Sequence, residues 1–245
     1  MSQDIAKLTE EILSEAKSAG ASLAGVADLN LLRELPTFGG LSLDKFRYAV
    51  SVGVVLPSQV IEMITADDPG ILYAWAYRTG NLILENISFR IASKITGWGY
   101  RALVIPPSMR VDREKEVGHA SQKAFAWAAG LGWIGRNALL VTPQYGPRVR
   151  LATVLTDMLL KPGQPVKNLC GECMICIKAC PAKALKHVKF EVRPGSREEI
   201  LDVGRCAERL SKTKEMLASK YSSVDYGVEI CGICIKACPY GRVSN

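Results

Sequence analysis

Two stretches in the last third of the chain have almost the same sequence. Residues 173–181 read CMICIKACP and residues 231–239 read CGICIKACP, so they differ at a single position. An additional cysteine, Cys170, precedes the first stretch by three residues, whereas Val228 stands at the matching place before the second. The cysteines form two groups: the first frame, Cys170, Cys173, Cys176 and Cys180, and the second frame, Cys231, Cys234 and Cys238.

The first frame has the spacing of bacterial iron–sulfur ferredoxins, Cys-x2-Cys-x2-Cys-x3-Cys-Pro. In that arrangement three close cysteines hold corners of one four-iron cubane, and the fourth ligates the other cluster. Two clusters need eight thiolates, and the one cysteine of the chain outside both frames is Cys206. We therefore predict two [4Fe–4S] clusters with crossed ligation. Set one is Cys170, Cys173, Cys176 and Cys238, and set two is Cys180, Cys206, Cys231 and Cys234.

Zinc sites and disulfides are the alternative uses of these cysteines. Four-cysteine zinc sites usually pair two Cys-x2-Cys elements at a distance, whereas here a third close cysteine and a Cys-Pro follow. Disulfides are rare in the reducing cytoplasm. The N-terminal segment lacks the basic start and apolar block of a secretory signal, and no apolar run approaches the roughly eighteen residues of a membrane span. These features predict a cytoplasmic iron–sulfur protein without a membrane segment.

The first 160 residues alternate between helical and extended patterns, which predicts a mixed α/β (α+β) domain, 1–160, with antiparallel strand pairing. We predict helices over 4–19, 70–99 and 119–130, and Gly80 could interrupt the second. We predict strands over 22–28, 48–57, 100–107, 137–143 and 148–157, the last two forming a hairpin. The segment 161–168 then leads into a second domain, 161–245, which holds both frames.

A glycine-rich stretch, AGLGWIGRN, follows the predicted helix 119–130. One interpretation is a tight helix-to-strand connection that requires glycine, and composition alone favours it. The other is a loop whose backbone closes on a large cofactor. The candidate cofactor-binding residues are Gly130, Gly132, Trp133, Ile134, Gly135, Arg136 and Asn137.

A family resemblance connects this loop with the frames. AGLGWIGRNALL, followed by LATVLTD, the first frame, DVGRC around Cys206 and the second frame, resembles the epoxyqueuosine reductases, distant relatives of the reductive dehalogenases. The resemblance implies a nitroreductase-like N-terminal domain that binds cobalamin and an adjoining two-cluster ferredoxin-like module that reduces it. It supports the crossed ligation and implies that the glycine loop, residues 130–137, lies near the corrin ring.

Three features depart from that family. Arg136 stands where the family usually has lysine. The family's acidic proton donor precedes the glycine loop, and an ungapped count points to Glu116, although the residues around it match poorly. The chain ends at Asn245, where the family's tRNA-holding extension would follow, so tRNA is a possible substrate but not the favoured one.

Reductive bond cleavage needs a proton as well as electrons. The candidate donors are His119, Glu116 and Tyr145. Histidine as a residue type can deliver a proton near neutral pH, and a structural role is the alternative for His119. Tyr145 lies in the turn PQYGPR, where packing on the sheet is the alternative. Arg136 and Arg148 could hold a phosphate or carboxylate, or form surface ion pairs.

These features predict an iron–sulfur oxidoreductase. A ferredoxin or flavodoxin would reduce the two clusters, which would pass single electrons to a cobalamin site for reduction of a small organic or modified-nucleoside substrate. The alternative is an electron-transfer protein without its own substrate, delivering electrons to a partner such as a corrinoid protein. A tRNA-binding epoxyqueuosine reductase is the third hypothesis, and the formal charge of +7 is its independent support.

Overall fold

The computed structural model describes residues 2–221 and 227–242. The chain divides into two compact units, each built from three separate segments. The first unit comprises the chain up to Val54, Asn81–Gly132 and Arg150–Val166. The second unit comprises Val55–Gly80, Trp133–Val149 and the chain from Lys167 onward. Both units therefore draw on parts of the chain that precede residue 160.

The first unit is built around a four-stranded sheet. Its strands are β1 (Leu23–Asp28), β2 (Tyr48–Val55), β3 (Ala102–Ile105) and β6 (Val149–Thr156), and their order across the sheet is β1-β2-β6-β3. β1 pairs antiparallel with β2, from Leu23 opposite Gly53 to Asp28 opposite Tyr48, and β3 pairs antiparallel with β6. The prediction of a mixed α/β architecture with antiparallel pairing is confirmed.

Helices of the first unit pack against this sheet. They are α1 (Ser2–Ser18), α4 (Gln122–Ala128) and most of α3 (Ile71–Gly97), with a 3-10 turn at Leu29–Leu32. Gly80 does not interrupt α3, which runs unbroken. A glycine inside a helix costs about 1 kcal/mol relative to alanine. Burial of one helix face compensates for that cost, through Leu84, Ile87, Ile91 and Ile95, each fully buried in the core.

The predicted hairpin between 137–143 and 148–157 is wrong. β5 (Leu140–Val141) pairs instead with β4 (Trp133–Ile134) in a separate two-stranded sheet, whereas β6 pairs with β3. Asn137 explains the difference, because its Oδ1 accepts from Leu139 N at 3.2 Å while Gly135 N bonds Leu139 O at 2.8 Å. Ala138 completes the early reversal with a φ of +58°.

Short helices dominate the second unit. They are α2 (Ser58–Glu62), α5 (Ile175–Ala179), α6 (Arg197–Ile200), α7 (Val203–Lys220) and α8 (Ile233–Ala237). Asp202 caps α7 by accepting from Arg205 N at 3.0 Å, which satisfies one free N–H of the first turn. The buried core of this unit comprises Leu56, Ile61, Ile64, Tyr73, Ala74, Ala76, Leu217 and Ile230. In the part of the chain that the structure describes, no helix has the length and hydrophobicity needed to cross a bilayer.

Candidate metal centre

The second unit carries all eight cysteines, and none of them forms a disulfide. α5 and α8 have the same sequence, ICIKA, and pack against each other. Each helix contains one cysteine and ends directly before another, so that Cys176 and Cys180 belong to α5 and Cys234 and Cys238 to α8. Cys206 lies in the first turn of α7. The internal repeat thus becomes two packed copies of one structural element.

The thiols fall into two neighbour groups. Burial, with the thiols of Cys170, Cys238 and Cys173 close by, raises the pKa of Cys176 to about 12. Burial also raises the pKa of Cys234, and the thiols that contribute are Cys231, Cys206, Cys176 and Cys180. The first neighbourhood contains the members of set one, and the second contains those of set two together with Cys176. Within the described ranges, no group of three or more Cys, His, Asp or Glu side chains is arranged so that it could hold a single metal ion.

Several N–H groups point at cysteine sulfurs. Trp133 Nε1 donates to Cys170 Sγ at 3.4 Å, and Ala184 N donates to Cys180 Sγ at 3.4 Å. The backbone N–H groups of Ile177 and Tyr240 also bond the thiols of Cys176 and Cys238, which lowers the pKa of both thiols against the effect of burial. Such bonds favour the thiolate form, which is the form that binds iron.

Two arginines are buried in the same unit. Arg148 is 1% exposed, and its Nη1 donates to Tyr240 O at 2.7 Å while its Nη2 pairs with Glu62 Oε1 at 3.1 Å. Arg136 is 4% exposed and donates from Nη2 to Gly171 O at 2.5 Å. Arg148 Nε and Arg136 Nη1 have no hydrogen-bond partner among the described residues. Neither guanidinium group lies on the surface, and the ion pair of Arg148 joins it to a half-exposed carboxylate, that of Glu62.

The glycine loop divides between the two units. Gly130 and Gly132 belong to the first unit, and the residues from Trp133 to Asn137 belong to the second. Trp133, Ile134, Arg136 and Asn137 are all buried. Besides the bonds of Trp133 and Arg136, Asn137 Nδ2 approaches Cys234 O at 3.5 Å, and Asn168 Nδ2 donates to Ile134 O at 3.2 Å. The loop side chains of the second unit therefore contact the cysteine segments.

Two glycines allow a close backbone crossing beside Cys238. A Cβ added at Gly146 would overlap the carbonyl oxygen of Tyr240, and one added at Gly241 would overlap the backbone of Tyr145. Both glycines have positive φ angles, +54° and +74°. The Trp133 ring meets the Tyr240 ring edge-on with 4.8 Å between centroids. The segment after Cys238 is thus fixed against the turn that precedes Arg148.

A cavity of about 760 Å³ lies in the second unit beside the two ICIKA helices. Its apolar wall is made by Ile175, Ala179, Ile233 and Ala237, each of which directly precedes a cysteine. Its other residues are Ser58, Gln59, Glu62, Ile64, Thr65, Ala66, Lys236 and Arg242. Lys236 Nζ bonds the carbonyl oxygens of Glu62 and Ile64 at 2.6 and 2.7 Å, which fixes the end of α2 on α8.

The three predicted proton donors lie in different surroundings. His119 belongs to the first unit, and its Nδ1 lies 3.1 Å from Phe38 O. Glu116, also in the first unit, pairs with Arg110 at 3.1 Å. Tyr145 belongs to the second unit, in the turn closed by its N–H bond to Thr142 Oγ1. None of the three is among the residues that line the cavity.

Sequence patterns alone did not reveal Glu62 or Tyr240. Glu62 lies in the short helix α2, far from the frames in the sequence, and no motif surrounds it. Tyr240 follows the Cys-Pro of the second frame, and that position was the available signal, because a residue just after a ligand is well placed to bond its sulfur.

Comparison with known proteins identifies the metal-binding part. Residues 169–241 match the family model of the 4Fe-4S double cluster binding domain. An epoxyqueuosine reductase of Listeria monocytogenes is 35% identical over 137 residues, which cover 56% of this chain and 34% of that protein. One from Lactococcus garvieae is 28% identical over 252 residues, covering 95% of this chain and 62% of that protein. The chain thus spans less than two thirds of the length of either relative.

A solved structure shows the same fold. It is a reductive dehalogenase whose structure is described as suggesting a mechanism for B12-dependent dehalogenation. The match has a TM-score of 0.72 and 20% sequence identity, and it covers 98% of this chain and 32% of the dehalogenase chain. The matched domain makes this an iron–sulfur protein with a site for two [4Fe–4S] clusters, which confirms that prediction. The chain is related in sequence to the epoxyqueuosine reductases, so the resemblance seen in its motifs is also confirmed.

Proposed function

We propose that this chain is an iron–sulfur oxidoreductase that carries single electrons from a ferredoxin or flavodoxin to a site where a small organic or modified-nucleoside substrate is reduced. Set one and set two would each hold one [4Fe–4S] cluster, and clusters supply one-electron transfer when bound. The observation that carries the proposal is the pair of thiol neighbourhoods around Cys176 and Cys234.

The residues around the cysteines fit a pair of clusters. An oxidised cluster with four thiolates carries a charge of roughly −2, and buried negative charge needs compensation. The buried guanidinium groups of Arg136 and Arg148 supply positive charge, and each keeps one N–H without a partner among the described residues. Trp133 and Ala184 donate to ligand sulfurs. The same side chains would otherwise be costly to bury.

Cobalamin is the group that we propose for the cavity. Support comes from the resemblance to the epoxyqueuosine reductases and from the B12-dependent chemistry described for the structurally similar dehalogenase. When bound, cobalamin would supply the reductive bond cleavage that clusters alone do not perform. Its flat ring suits the apolar wall, and the amides at its rim suit Ser58, Gln59 and Thr65.

The position of the cavity suits an electron acceptor. Each apolar wall residue is the chain neighbour of a cysteine, two of them in set one and two in set two. Any group held there would contact residues that adjoin, in sequence, cysteines of both sets. His119, Glu116 and Tyr145 remain our predictions for the proton donor, and a nitroreductase-like N-terminal domain remains our prediction for the fold family.

The contacts of the glycine loop favour a second candidate function. Trp133, Arg136 and Asn137 bond to the cysteine segments, which suits an electron carrier that hands electrons to a partner such as a corrinoid protein. That carrier would need no cobalamin of its own. tRNA remains a possible substrate, but it is not the one that we favour.

The two functions are separated by adding hydroxocobalamin to the anaerobically purified protein after iron and sulfide reconstitution, followed by gel filtration. The oxidoreductase predicts that cobalt elutes with the chain. Ala179→Trp, which fills the cavity from an exposed position, should abolish cobalt retention while about eight irons remain. Ala218→Trp, at an exposed site on α7, is the matched control and should retain cobalt.

If the unmodified chain keeps its iron but does not retain cobalt, the oxidoreductase function is contradicted and the electron-carrier function is supported. Retention of cobalt by Ala179→Trp would exclude the cavity as its site.

A further inference from the structure

Arg148 connects a cavity residue to a cluster ligand of set one. Its Nη2 pairs with the Glu62 carboxylate at 3.1 Å, and Glu62 lines the cavity. Its Nη1 donates to Tyr240 O at 2.7 Å, and the N–H of the same Tyr240 bonds the Cys238 sulfur. Arg148 is 1% exposed, whereas the Glu62 side chain is 46% exposed. A fixed positive charge therefore lies beside Cys238, with a partly solvated negative charge behind it.

The surroundings of set two differ. Arg148 and Arg136 are the two charged side chains that are buried in the described part of the chain, and Arg148 bonds the carbonyl of Tyr240, two residues after Cys238. Arg136 bonds the carbonyl of Gly171, which is next to Cys170, another member of set one. Buried positive charge is thus concentrated on the side of set one.

We infer that Arg148 raises the reduction potential of the cluster held by set one above that of the cluster held by set two, and that Glu62 limits this increase. The inference rests on the proposed two-cluster function. Uptake of one electron adds one negative charge to a cluster, and a buried cation stabilises that charge more than a solvated one does. The carboxylate of Glu62 opposes the cation, but solvent screens it because it is half exposed.

Electron flow through the pair then has a direction. One electron from an external donor, a reduced ferredoxin or flavodoxin in the cell or dithionite in the test, reduces one cluster from the 2+ to the 1+ state and oxidises the donor by one electron. At equilibrium that electron resides on the set-one cluster, because its potential is higher. The set-one cluster is consequently the one from which a bound acceptor would be reduced at low electron supply.

The test is an anaerobic redox titration of the iron-reconstituted 245-residue chain, followed by electron paramagnetic resonance. Arg148→Gln removes the charge and Arg148→Lys keeps it without the two-pronged hydrogen bonding. Glu62→Gln removes the opposing charge from a half-exposed side chain. Arg150→Gln is the matched control, an arginine two residues further along the chain, in β6, with hydrogen bonds to Asn81 and Ser108 in the first unit.

We expect two midpoint potentials in the unmodified protein. At the higher midpoint, Arg148→Gln should reduce the ratio of reduced to oxidised cluster about tenfold, equivalent to about 59 mV for a one-electron couple, with the lower midpoint nearly unchanged. Glu62→Gln should shift the higher midpoint in the opposite direction, Arg148→Lys should lie between Arg148→Gln and the unmodified protein, and Arg150→Gln should change neither. Cys238→Ala should remove the higher-potential signal and Cys206→Ala the lower one.

The inference is overturned if Arg148→Gln leaves the higher midpoint unchanged, or if Glu62→Gln shifts it downward. It is equally overturned if Cys206→Ala removes the higher-potential signal. Should Arg148→Gln fail to fold, the direction of the Glu62→Gln shift alone decides. Failure of the proposed function is distinct, since the unmodified protein would then hold no reducible iron–sulfur signal at all.

Discussion

The indole Nε1 of Trp133 donates a hydrogen bond to the Sγ of Cys170 across 3.4 Å, and the Trp133 side chain is completely buried. The two residues come from different parts of the sequence, the glycine loop and the first frame. A hydrogen bond to a ligand sulfur stabilises the thiolate and the reduced cluster. The contact thus connects the folding of the loop with the electronic properties of set one.

Trp133→Phe should destabilise the protein by about 1–2 kcal/mol, because it removes a buried indole donor from the partly buried sulfur of Cys170. It should also lower the potential of the set-one cluster, because the reduced state loses a hydrogen bond. Thermal unfolding and redox titration measure the two effects. Trp75→Phe, in the same unit but 45% exposed, is the control and should change neither. Equal effects of the two substitutions would contradict a specific role for Trp133.

Gly241→Ala should disrupt the chain after Cys238. The added Cβ would overlap the backbone of Tyr145, and the φ of +74° is unfavourable for alanine by about 1 kcal/mol. Gly70→Ala is the matched control, because its φ is +82° but nothing lies within contact distance of the added Cβ. We expect Gly241→Ala to cost about 1–3 kcal/mol more than Gly70→Ala in thermal unfolding, and to lower iron content. If Gly241→Ala and Gly70→Ala lose similar stability, the positive φ angle alone explains the loss, and the overlap with Tyr145 is contradicted.

Thr213→Val tests how α7 is held to the second frame. The buried Thr213 hydroxyl lies 2.5 Å from Ile230 O, in the residue just before Cys231. Valine keeps the shape but leaves that carbonyl without its donor, which should cost about 1–3 kcal/mol. Denaturant unfolding measures the cost. Ser211→Ala, at an exposed position of α7, should cost much less, and a cost as large as that of Thr213→Val would contradict the role of the buried bond.

Acid should weaken the first unit through Glu15. The hydrogen bond from Arg90, opposed by burial and reinforced by the charges of Arg90 and Lys94, holds the pKa of Glu15 below its ordinary value of 4.5. A lowered pKa contributes stability above about pH 4.5 and loses it as the pH falls through the folded value. Glu15→Gln should therefore show a shallower loss of unfolding free energy between about pH 5 and pH 2.

Urea unfolding at several pH values measures this loss. Glu10→Gln, an exposed change on the same helix, serves as the control, because acid release of clusters affects every variant alike. A slope for Glu15→Gln that matches the control would contradict the prediction.

Local patterns in the sequence predicted the elements that depend on local contacts. The spacing of the first frame specifies a cluster loop within a few residues, so the cysteine positions could be read directly. Helix and strand periodicity likewise located α1, α4 and the four strands of the main sheet, to within a few residues at their ends. The continuity of α3 through Gly80 was not predictable from that residue type, because buried contacts elsewhere on the helix outweigh the local cost.

Relationships between distant residues could not be read in this way. Arg148 and Glu62 are 86 residues apart in sequence, and no pattern shows that they pair or that Arg148 is buried beside Cys238. The hairpin of β4 and β5 was missed because one side chain, Asn137, and one positive φ, at Ala138, reverse the chain earlier than the turn-like residues that follow. Charge compensation around the clusters is therefore a tertiary property.

In our proposal two clusters are held by two crossed cysteine sets, one of which includes Cys206. The most direct measurement is iron and acid-labile sulfide per chain, with quantified electron paramagnetic resonance after reduction, in the unmodified protein and in Cys206→Ala. We expect about eight irons and eight sulfides in the unmodified protein, and about four of each with one remaining cluster signal in Cys206→Ala. Stoichiometric zinc in the unmodified protein, or about eight irons retained in Cys206→Ala, would contradict it.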